Sequence, residues 1–239
     1  MKFLRSTLIT ALLLVVVCYP VAAGSDANPG DIVINEIMQN PNAVYDNAGE
    51  WFEIYNTSGA TIDINGWTIK DDGSDSHVIN NGGPLNVAPG AYVVLCNNGD
   101  SGTNGGVTCD YVYPYANFNL GNGDDEAVLV EDAGTQEEIA RVAYDGGTSF
   151  PDPTGASMVY VPSAKPPVAG YFADNQLASQ WGTSTSSYGA GDLGTPGATN
   201  DQGGVATAVK LNSFAGGSFP GLAVVFVLAV GLVMLRKRK

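Results

Sequence analysis

Histidine, cysteine and cationic side chains are scarce in this chain of 239 residues. It contains one His, three Cys and ten Lys or Arg, against 24 Asp or Glu. A lone His with dispersed Cys residues offers no spacing that would hold zinc. Nucleic acid and anionic lipid headgroups attract proteins through Lys and Arg. The composition therefore argues against zinc chemistry and excludes nucleic acid as a partner.

Long apolar runs occur only at the two ends of the chain. Lys2 and Arg5 precede an apolar run at residues 8–17, and small residues follow at 21–23. This order predicts a secretory signal peptide over residues 1–23. Between this segment and the second apolar run lie four cationic side chains and all 24 carboxylates, a formal charge of −20. The exported body is therefore predicted to be strongly acidic.

The second apolar run, residues 215–235, contains no charged residue, and residues 236–239 are all Lys or Arg. A helix of this length spans about 31 Å, close to the ~30 Å hydrocarbon core of a bilayer. Its basic end should stay in the cytoplasm. We therefore expect a single transmembrane helix that holds the body outside, at the cell membrane or cell surface.

A short motif at the start of that helix leaves open whether the helix is retained or removed by a protease. Gly216, Gly217 and Ser218, followed by the helix and the basic end, resemble the Gly-Gly sorting tails that bacterial rhomboid-type proteases process. Removal by such a protease and retention as a one-pass membrane protein are equally compatible with the sequence.

Short alternating runs of Ile, Val, Phe, Tyr and Trp make up the body, with Gly, Asp, Asn and Pro between them. This pattern is typical of β-strands joined by surface loops. Seven strands with such spacing predict an all-β protein, an antiparallel immunoglobulin-like β-sandwich. The predicted strands are 32–37, 50–55, 62–70, 92–96, 127–131, 138–142 and 157–161.

Side-chain alternation predicts the core and the faces of the strands. Glu36 should share a face with Ile32 and Ile34, where a buried carboxylate needs hydrogen bonds, most simply from the backbone of a neighbouring loop. The large Trp181 indicates that residues 146–200 wrap irregularly around the domain, and residues 201–214 are predicted to be a flexible stalk. The expected core side chains are Ile34, Phe52, Ile54, Ile64, Val94, Val128, Val130 and Val142, sealed by Trp67.

Several motifs in this order and spacing resemble a lamin tail domain over residues 31–200. They are INEI at 34–37, GEWFEIYN at 49–56, INGW at 64–67, APGAYVVL at 88–95, LGNGDDEAVLVEDAG at 120–134, RVAYD at 141–145 and GTPGATN at 194–200. The resemblance implies an immunoglobulin-like sandwich and implies no catalytic residue.

Two cysteines remain once the predicted signal peptide is removed. Cys96 and Cys109 would both face an oxidising compartment, so a disulfide is predicted between them. It would close a loop of small polar residues at 97–108. Its predicted role is structural.

Carboxylates cluster at residues 71–75, at residues 124–126, and as Glu50 and Glu53 on one strand. Short loops of Asp, Asn and Gly supply the hard oxygen ligands that Ca²⁺ needs. We therefore consider a calcium site formed by Asp71, Asp72 and Asp75. The alternative is a solvated acidic turn, and no other cofactor is predicted.

The leading functional prediction is a non-catalytic cell-surface binding or adhesion module whose ligand is a protein or a glycan. The alternatives are a calcium-dependent structural protein of the envelope and a hydrolase. Ser101, in GDSG at 99–102, resembles the nucleophile segment of chymotrypsin-like proteases, but the only histidine, His77, is too near in sequence for that fold. Asn56 begins a glycosylation sequon, which has meaning only in a eukaryotic source.

Overall fold

The computed structural model of the protein describes residues 27–131, 136–162 and 168–201. The predicted signal peptide, the transmembrane and sorting segment, the basic end and nearly all of the predicted stalk lie outside these residues. Within the described ranges, none of the helices has the length and apolar character needed to cross a membrane.

The described residues form short strands and two short α-helices, α1 (Asp46–Gly49) and α2 (Tyr171–Asn175). A six-stranded sheet has the order β12-β11-β1-β2-β7-β8, a four-stranded sheet the order β10-β9-β4-β5, and β3 pairs with β6. The strands are β1 (Ile32–Met38), β2 (Trp51–Asn56), β3 (Ile62–Asp63), β4 (Thr68–Lys70), β5 (Ser76–Val78), β6 (Asn86–Val87), β7 (Tyr92–Cys96), β8 (Tyr111–Val112), β9 (Asp124–Val130), β10 (Glu138–Asp145), β11 (Met158–Tyr160) and β12 (Trp181–Thr183).

The main hydrophobic core contains side chains from both larger sheets, as alternation predicts for a sandwich. Phe52 lies at its centre, with ring centroids 6.1 Å from Tyr113 and 5.9 Å from Phe118. All eight expected core side chains and Trp67 are buried. Val94 nevertheless belongs to a second, smaller cluster with Met38, Trp51, Cys96 and Val107, and Val128 and Val130 belong to neither cluster.

The predicted strand 62–70 is wrong, because the chain turns in its middle. Gly66 has a φ of 92°, a left-handed conformation that favours glycine, and its N–H donates to the carbonyl of Ile79. β3 therefore pairs with β6, while β4 pairs with β5 and β9 in another sheet. β5, β6, β8 and β12, each of only two or three residues, were also not predicted.

The prediction that Glu36 shares a face with Ile32 and Ile34 is wrong, because β1 contains a bulge. Ile34 pairs with Ile54, but the next pair in the register is Glu36 with Glu53. The extra residue, Asn35, reverses the alternation at this point. Ile34 therefore faces the main core, whereas Glu36 lies on the opposite face of the six-stranded sheet, beside Glu53.

The described residues between 146 and 201 wrap around the sandwich as predicted, although some of them form regular structure. Trp181 is buried, and its indole N–H donates to the carbonyl of Asn175 at 2.7 Å. Its ring centroid lies 5.8 Å from that of Tyr160. The final described segment, residues 184–201, covers the outer face of the six-stranded sheet, where Trp51 Nε1 donates to the Tyr188 hydroxyl at 3.1 Å.

Candidate functional site

A cleft of roughly 480 Å³ opens beside the six-stranded sheet. Its volume lies within the range of about 300 to 1,000 Å³ that is typical of small-ligand sites. Four tyrosines from four different elements converge on it, together with two asparagines and a threonine. The lining residues are Asn35, Tyr55, Tyr92, Tyr160, Val161, Pro162, Tyr171, Thr199 and Asn200.

Tyr55 and Tyr92 reach the cleft from adjacent strands. They are register partners in the antiparallel pairing of β2 with β7, and alternation therefore sends both rings to the same face. Their ring centroids lie 4.9 Å apart with a tilt of 37°. Both side chains are partly exposed, and the Tyr92 hydroxyl donates to Thr199 Oγ1 at 3.2 Å. The two rings form a paired aromatic surface.

Tyr160 and Tyr171 form the opposite part of the cleft and are more deeply buried. The Tyr160 hydroxyl donates to Asp174 Oδ2 at 2.5 Å. Burial raises the pKa of the Tyr160 phenol, and the hydrogen bond to Asp174 raises it further. Burial, with the nearby Tyr55 and Asp174, also raises the pKa of the Tyr171 phenol. Both phenols are therefore neutral at physiological pH.

Asn35 and Asn200 join the sheet to the final described segment at the cleft. Asn200 Nδ2 donates to the carbonyls of Asn35 at 2.9 Å and Tyr160 at 2.8 Å. Asn35 Nδ2 donates to Glu53 Oε1 at 2.7 Å and to Asn200 Oδ1 at 3.0 Å. These bonds fix both amides and so define the shape of this wall.

Glu36 and Glu53 lie behind this wall and hold the segment in place. Glu36 Oε1 accepts the Thr195 N–H at 2.7 Å and Oε2 accepts the Thr195 hydroxyl at 2.7 Å. The Ser157 hydroxyl donates to the same Oε1 at 2.5 Å, and Glu53 Oε2 accepts the Gly197 N–H at 2.5 Å. The predicted role of Glu36, to bind backbone donors of a neighbouring loop, is confirmed.

The surroundings of these two carboxyls are poorly solvated. Burial raises the pKa of Glu36. Burial also raises the pKa of Glu53 to about 8, although the Gly197 hydrogen bond opposes the shift. Loss of water around a carboxylate penalises its charged form. Glu53 therefore contributes little negative charge to the cleft at pH values well below 8.

The Lys, Arg and His side chains that the structure describes lie on the other sheet. Lys70, His77 and Arg141 belong to β4, β5 and β10, and none lines the cleft. Arg141 binds both oxygens of Asp72, at 2.9 and 2.8 Å, and also binds Glu138. The lining side chains therefore carry no formal charge.

The three aspartates of the calcium hypothesis lie together in one loop but already have protein partners. Asp71 Oδ1 accepts the Asp75 N–H at 2.9 Å, and Asp75 Oδ2 accepts Asn119 Nδ2 at 2.6 Å. The hydrogen bond from Arg141 lowers the pKa of Asp72. Among the residues that the structure describes, no three His, Cys, Asp or Glu side chains are arranged to hold a metal ion. Calcium binding stays a prediction.

The disulfide between Cys96 and Cys109 is present, with the two Cα atoms 5.8 Å apart. Asn104 organises the loop that it closes. Its Nδ2 donates to the carbonyls of Asn98 at 2.8 Å and Val107 at 3.0 Å, while its Oδ1 accepts the N–H of Val107 at 2.9 Å. The loop is therefore fixed by both a covalent bond and a central amide.

The protease resemblance around Ser101 has no support in the structure. His77 Nε2 is hydrogen bonded to the Tyr111 hydroxyl at 2.7 Å. Ser101 is exposed in a turn in which Asp100 Oδ1 accepts the Gly102 N–H at 3.0 Å. Asp100 thus organises the turn, and the histidine that a serine nucleophile would need is bonded elsewhere.

The sequon at Asn56 does not present an accessible amide. Asn56 is fully buried, and its Nδ2 donates to the carbonyls of Ala60 and Val87, both at 2.8 Å. A glycan on this nitrogen would replace these bonds and would have no room. Glycosylation of Asn56 is therefore incompatible with the folded structure.

The cleft itself was not predicted from the sequence. Tyr160 and Tyr171 stand out as aromatics in a region rich in Pro, Ser, Thr and Gly, which is a weak signal of packing. Tyr55 and Tyr92 follow ordinary strand patterns. No local motif joins these residues, because the bulge at Asn35 and the returning segment near Asn200 bring them together.

The two β-sheets that share a core, with few helices among the described residues, define an all-β protein consistent with an immunoglobulin-like fold. The family model of the lamin tail domain matches residues 25–146, about half of the chain. The chain belongs to the lamin tail domain family, which is not a known enzyme family. No curated protein matches the chain. The matched range includes Asn35, Tyr55 and Tyr92 but ends before the remainder of the cleft.

Proposed function

We propose that this protein is a non-catalytic binding or adhesion module of the cell surface and that its ligand binds in the tyrosine cleft. The observation that carries the proposal is the convergence of four tyrosines from β2, β7, β11 and α2 on one open cleft. Rigid aromatic side chains with a polar tip are favoured in binding sites because they bury large surfaces at little entropic cost.

Binding is favoured over catalysis by the chemistry of the lining groups. General acid or base catalysis needs a titratable group within hydrogen-bonding reach of the substrate. Glu36 and Glu53 have raised pKa values, but both are fully buried and bonded to the segment that covers them. Such carboxyls fix the wall of the cleft and are not presented to a ligand.

The surface location rests on the two ends of the chain. A signal peptide at residues 1–23 and an anchor at residues 215–235 would place the acidic body outside the membrane. The disulfide agrees with this location, because such bonds persist in oxidising compartments. The final basic residues 236–239 would remain on the cytoplasmic side.

The binding proposal is tested with full-length protein on arrays of glycans and peptides. Tyr92→Ala removes one ring of the aromatic pair. Tyr45→Ala is the matched control, because Tyr45 is 87% exposed and lies outside the cleft. We expect binding to be lost in Tyr92→Ala and kept in Tyr45→Ala, with both variants folded by circular dichroism. Ligands that bind both variants equally would place the binding site elsewhere.

The anchor is tested by mass spectrometry of the mature chain recovered from cells. A C-terminus at Lys239 corresponds to retention of the helix. A C-terminus near Gly217 corresponds to a sorting protease. An N-terminus at Met1 would contradict export by cleavage of the predicted signal peptide.

A further inference from the structure

We propose that the tyrosine cleft binds a neutral glycan, with sugar rings packed on Tyr55 and Tyr92. This inference rests on the proposed function and specifies its ligand class. It follows from four features of the cleft: its aromatic surface, its hydroxyl groups, its lack of charge and its position within the sheet.

The aromatic surface suits the apolar C–H face of a sugar ring. Tyr55 and Tyr92 lie side by side, with a tilt of 37° and partly exposed rings. The Tyr92 hydroxyl donates to Thr199 Oγ1, and the Tyr55 ring packs against that of Tyr92. The two rings are therefore preorganised, which lowers the entropic cost of binding.

The hydroxyl groups of the cleft match those of a glycan. A phenol both donates and accepts hydrogen bonds, as a sugar hydroxyl does. Within the described residues, no hydrogen bond involves the hydroxyl of Tyr55 or that of Tyr171, and the Tyr92–Thr199 pair can accept a further donor. Three phenolic groups are thus available for a polyhydroxyl ligand, whereas the amides of Asn35 and Asn200 are bonded within the wall.

The absence of formal charge in the lining argues against ionic ligands. Among the described residues, no cationic side chain lines the cleft to bind phosphate, sulfate or carboxylate, and the acidic body would repel them. A primary ammonium group forms its strongest hydrogen bonds with carboxylates. Glu53 and Asp174, whose carboxyls contact cleft residues, already have partners: Glu53 is bonded to Asn35 and Gly197, and Asp174 is bonded to Tyr160. A neutral ligand fits these surroundings best.

The position of the cleft within the sheet argues against an extended peptide. Peptides often bind by adding a strand to a free sheet edge. The strands that contribute to the cleft, β1, β2, β7 and β11, are all interior strands of the six-stranded sheet. The carbonyls of Asn35 and Tyr160 already accept Asn200 Nδ2. Side chains are therefore the principal groups that the cleft offers to a ligand, as they are in glycan recognition.

The test uses full-length protein in a detergent that contains no sugar. The neutral probes are cellobiose, maltose, lactose, mannobiose and chitobiose, followed by longer oligomers of those that bind. Choline chloride and a polyproline peptide are the competing probes. Binding is measured by titration calorimetry, and the variants are wild type, Tyr55→Phe, Tyr92→Ala and the control Tyr45→Ala.

We expect saturable binding of a neutral glycan that persists at about 0.5 M salt, because an uncharged ligand is not screened. Tyr55→Phe keeps the ring and removes one hydroxyl, so it should lower the affinity for the glycan about 3- to 10-fold. Tyr92→Ala should lower this affinity more than Tyr55→Phe does, and Tyr45→Ala should bind the glycan with the wild-type affinity.

Three outcomes would overturn the inference in different ways. Tyr92-dependent binding of choline or polyproline, without binding of any neutral glycan, would refute a neutral glycan as the ligand. It would leave the proposed binding function intact. If no probe or array ligand shows binding that depends on Tyr92, both the glycan inference and the proposed binding function are refuted. Glycan binding that is equal in wild type and Tyr92→Ala would place the glycan outside the cleft.

Discussion

Glu36 and Glu53 are register partners on adjacent strands, and both side chains are fully buried on the same face of the sheet. Each accepts a backbone N–H from the final described segment, Glu36 from Thr195 and Glu53 from Gly197. Two neighbouring carboxyls thus hold the final described segment against the sheet, and the position of the cleft wall at Asn200 depends on them. The bulge at Asn35 makes this possible, because without it Glu36 would face the apolar core.

The first prediction concerns pH. Burial raises the pKa values of Glu50 and Glu53 to about 8. A carboxyl whose pKa is higher in the folded than in the unfolded state stabilises the fold below its unfolded pKa, and this contribution is lost as the pH rises to the folded value. The free energy of unfolding should therefore decrease between about pH 5 and pH 9, by on the order of 3 kcal/mol for each carboxyl.

Glu50→Gln isolates one of these carboxyls. Its Oε2 accepts the Leu120 N–H at 3.0 Å, a bond that an amide oxygen can keep. The variant should match wild type near pH 5 and be more stable at pH 9, as measured by urea denaturation. Asp124→Asn, at an exposed position, should follow the wild-type pH profile. An unchanged profile in Glu50→Gln would show that Glu50 titrates normally.

The second prediction concerns the bond between Thr195 and Glu36. Thr195→Val conserves shape but removes the hydroxyl that donates to Glu36 Oε2 at 2.7 Å. The loss of a donor to a buried carboxyl should lower the free energy of unfolding by about 1 to 3 kcal/mol. Thr61→Val, at an exposed position, should change it by less than about 0.5 kcal/mol. Equal effects of the two variants in urea denaturation would contradict a role for Glu36 in holding the segment.

The third prediction concerns the contact between the disulfide loop and the final segment. Gly189 has a φ of 44°, and a Cβ there would collide with the carbonyl oxygen of Gly105. Gly189→Ala should therefore lower the free energy of unfolding by about 2 to 4 kcal/mol. Gly59→Ala is the control, because a Cβ at Gly59 meets nothing within 4 Å. A thermal melt of Gly189→Ala like that of Gly59→Ala would mean that the two segments separate in solution.

The fourth prediction concerns the disulfide. Cys96 and Cys109 are 13 residues apart in sequence. A cross-link that closes a loop of this length stabilises by about 3 kcal/mol in the chain-entropy account. The double variant Cys96→Ser with Cys109→Ser should lose about that amount in urea denaturation. Reduction of the wild type should have the same effect but should not change the double variant, which serves as the control for the reductant.

The strands and the core were largely predictable because alternation is a local signal. Phe52 and Ile54 show the period-two pattern, and both are buried as expected. The bulge at Asn35 adds a single residue, and nothing nearby in the sequence indicates where the register shifts. The cleft was beyond prediction for another reason: Asn35 and Asn200 are bonded although they lie 165 residues apart. Only the folded topology brings such residues together.

The last prediction concerns calcium at Asp71, Asp72 and Asp75. Arg141 binds both oxygens of Asp72, so a calcium ion would have to compete with a guanidinium for this ligand. If these aspartates bind calcium, Arg141→Gln should raise the affinity measured by calorimetry and increase the calcium-dependent rise in Tm. Arg141→Gln combined with Asp72→Asn is the control and should abolish the gain. Absence of calcium heat in both wild type and Arg141→Gln would leave the loop as a solvated acidic turn whose charge is offset by one arginine.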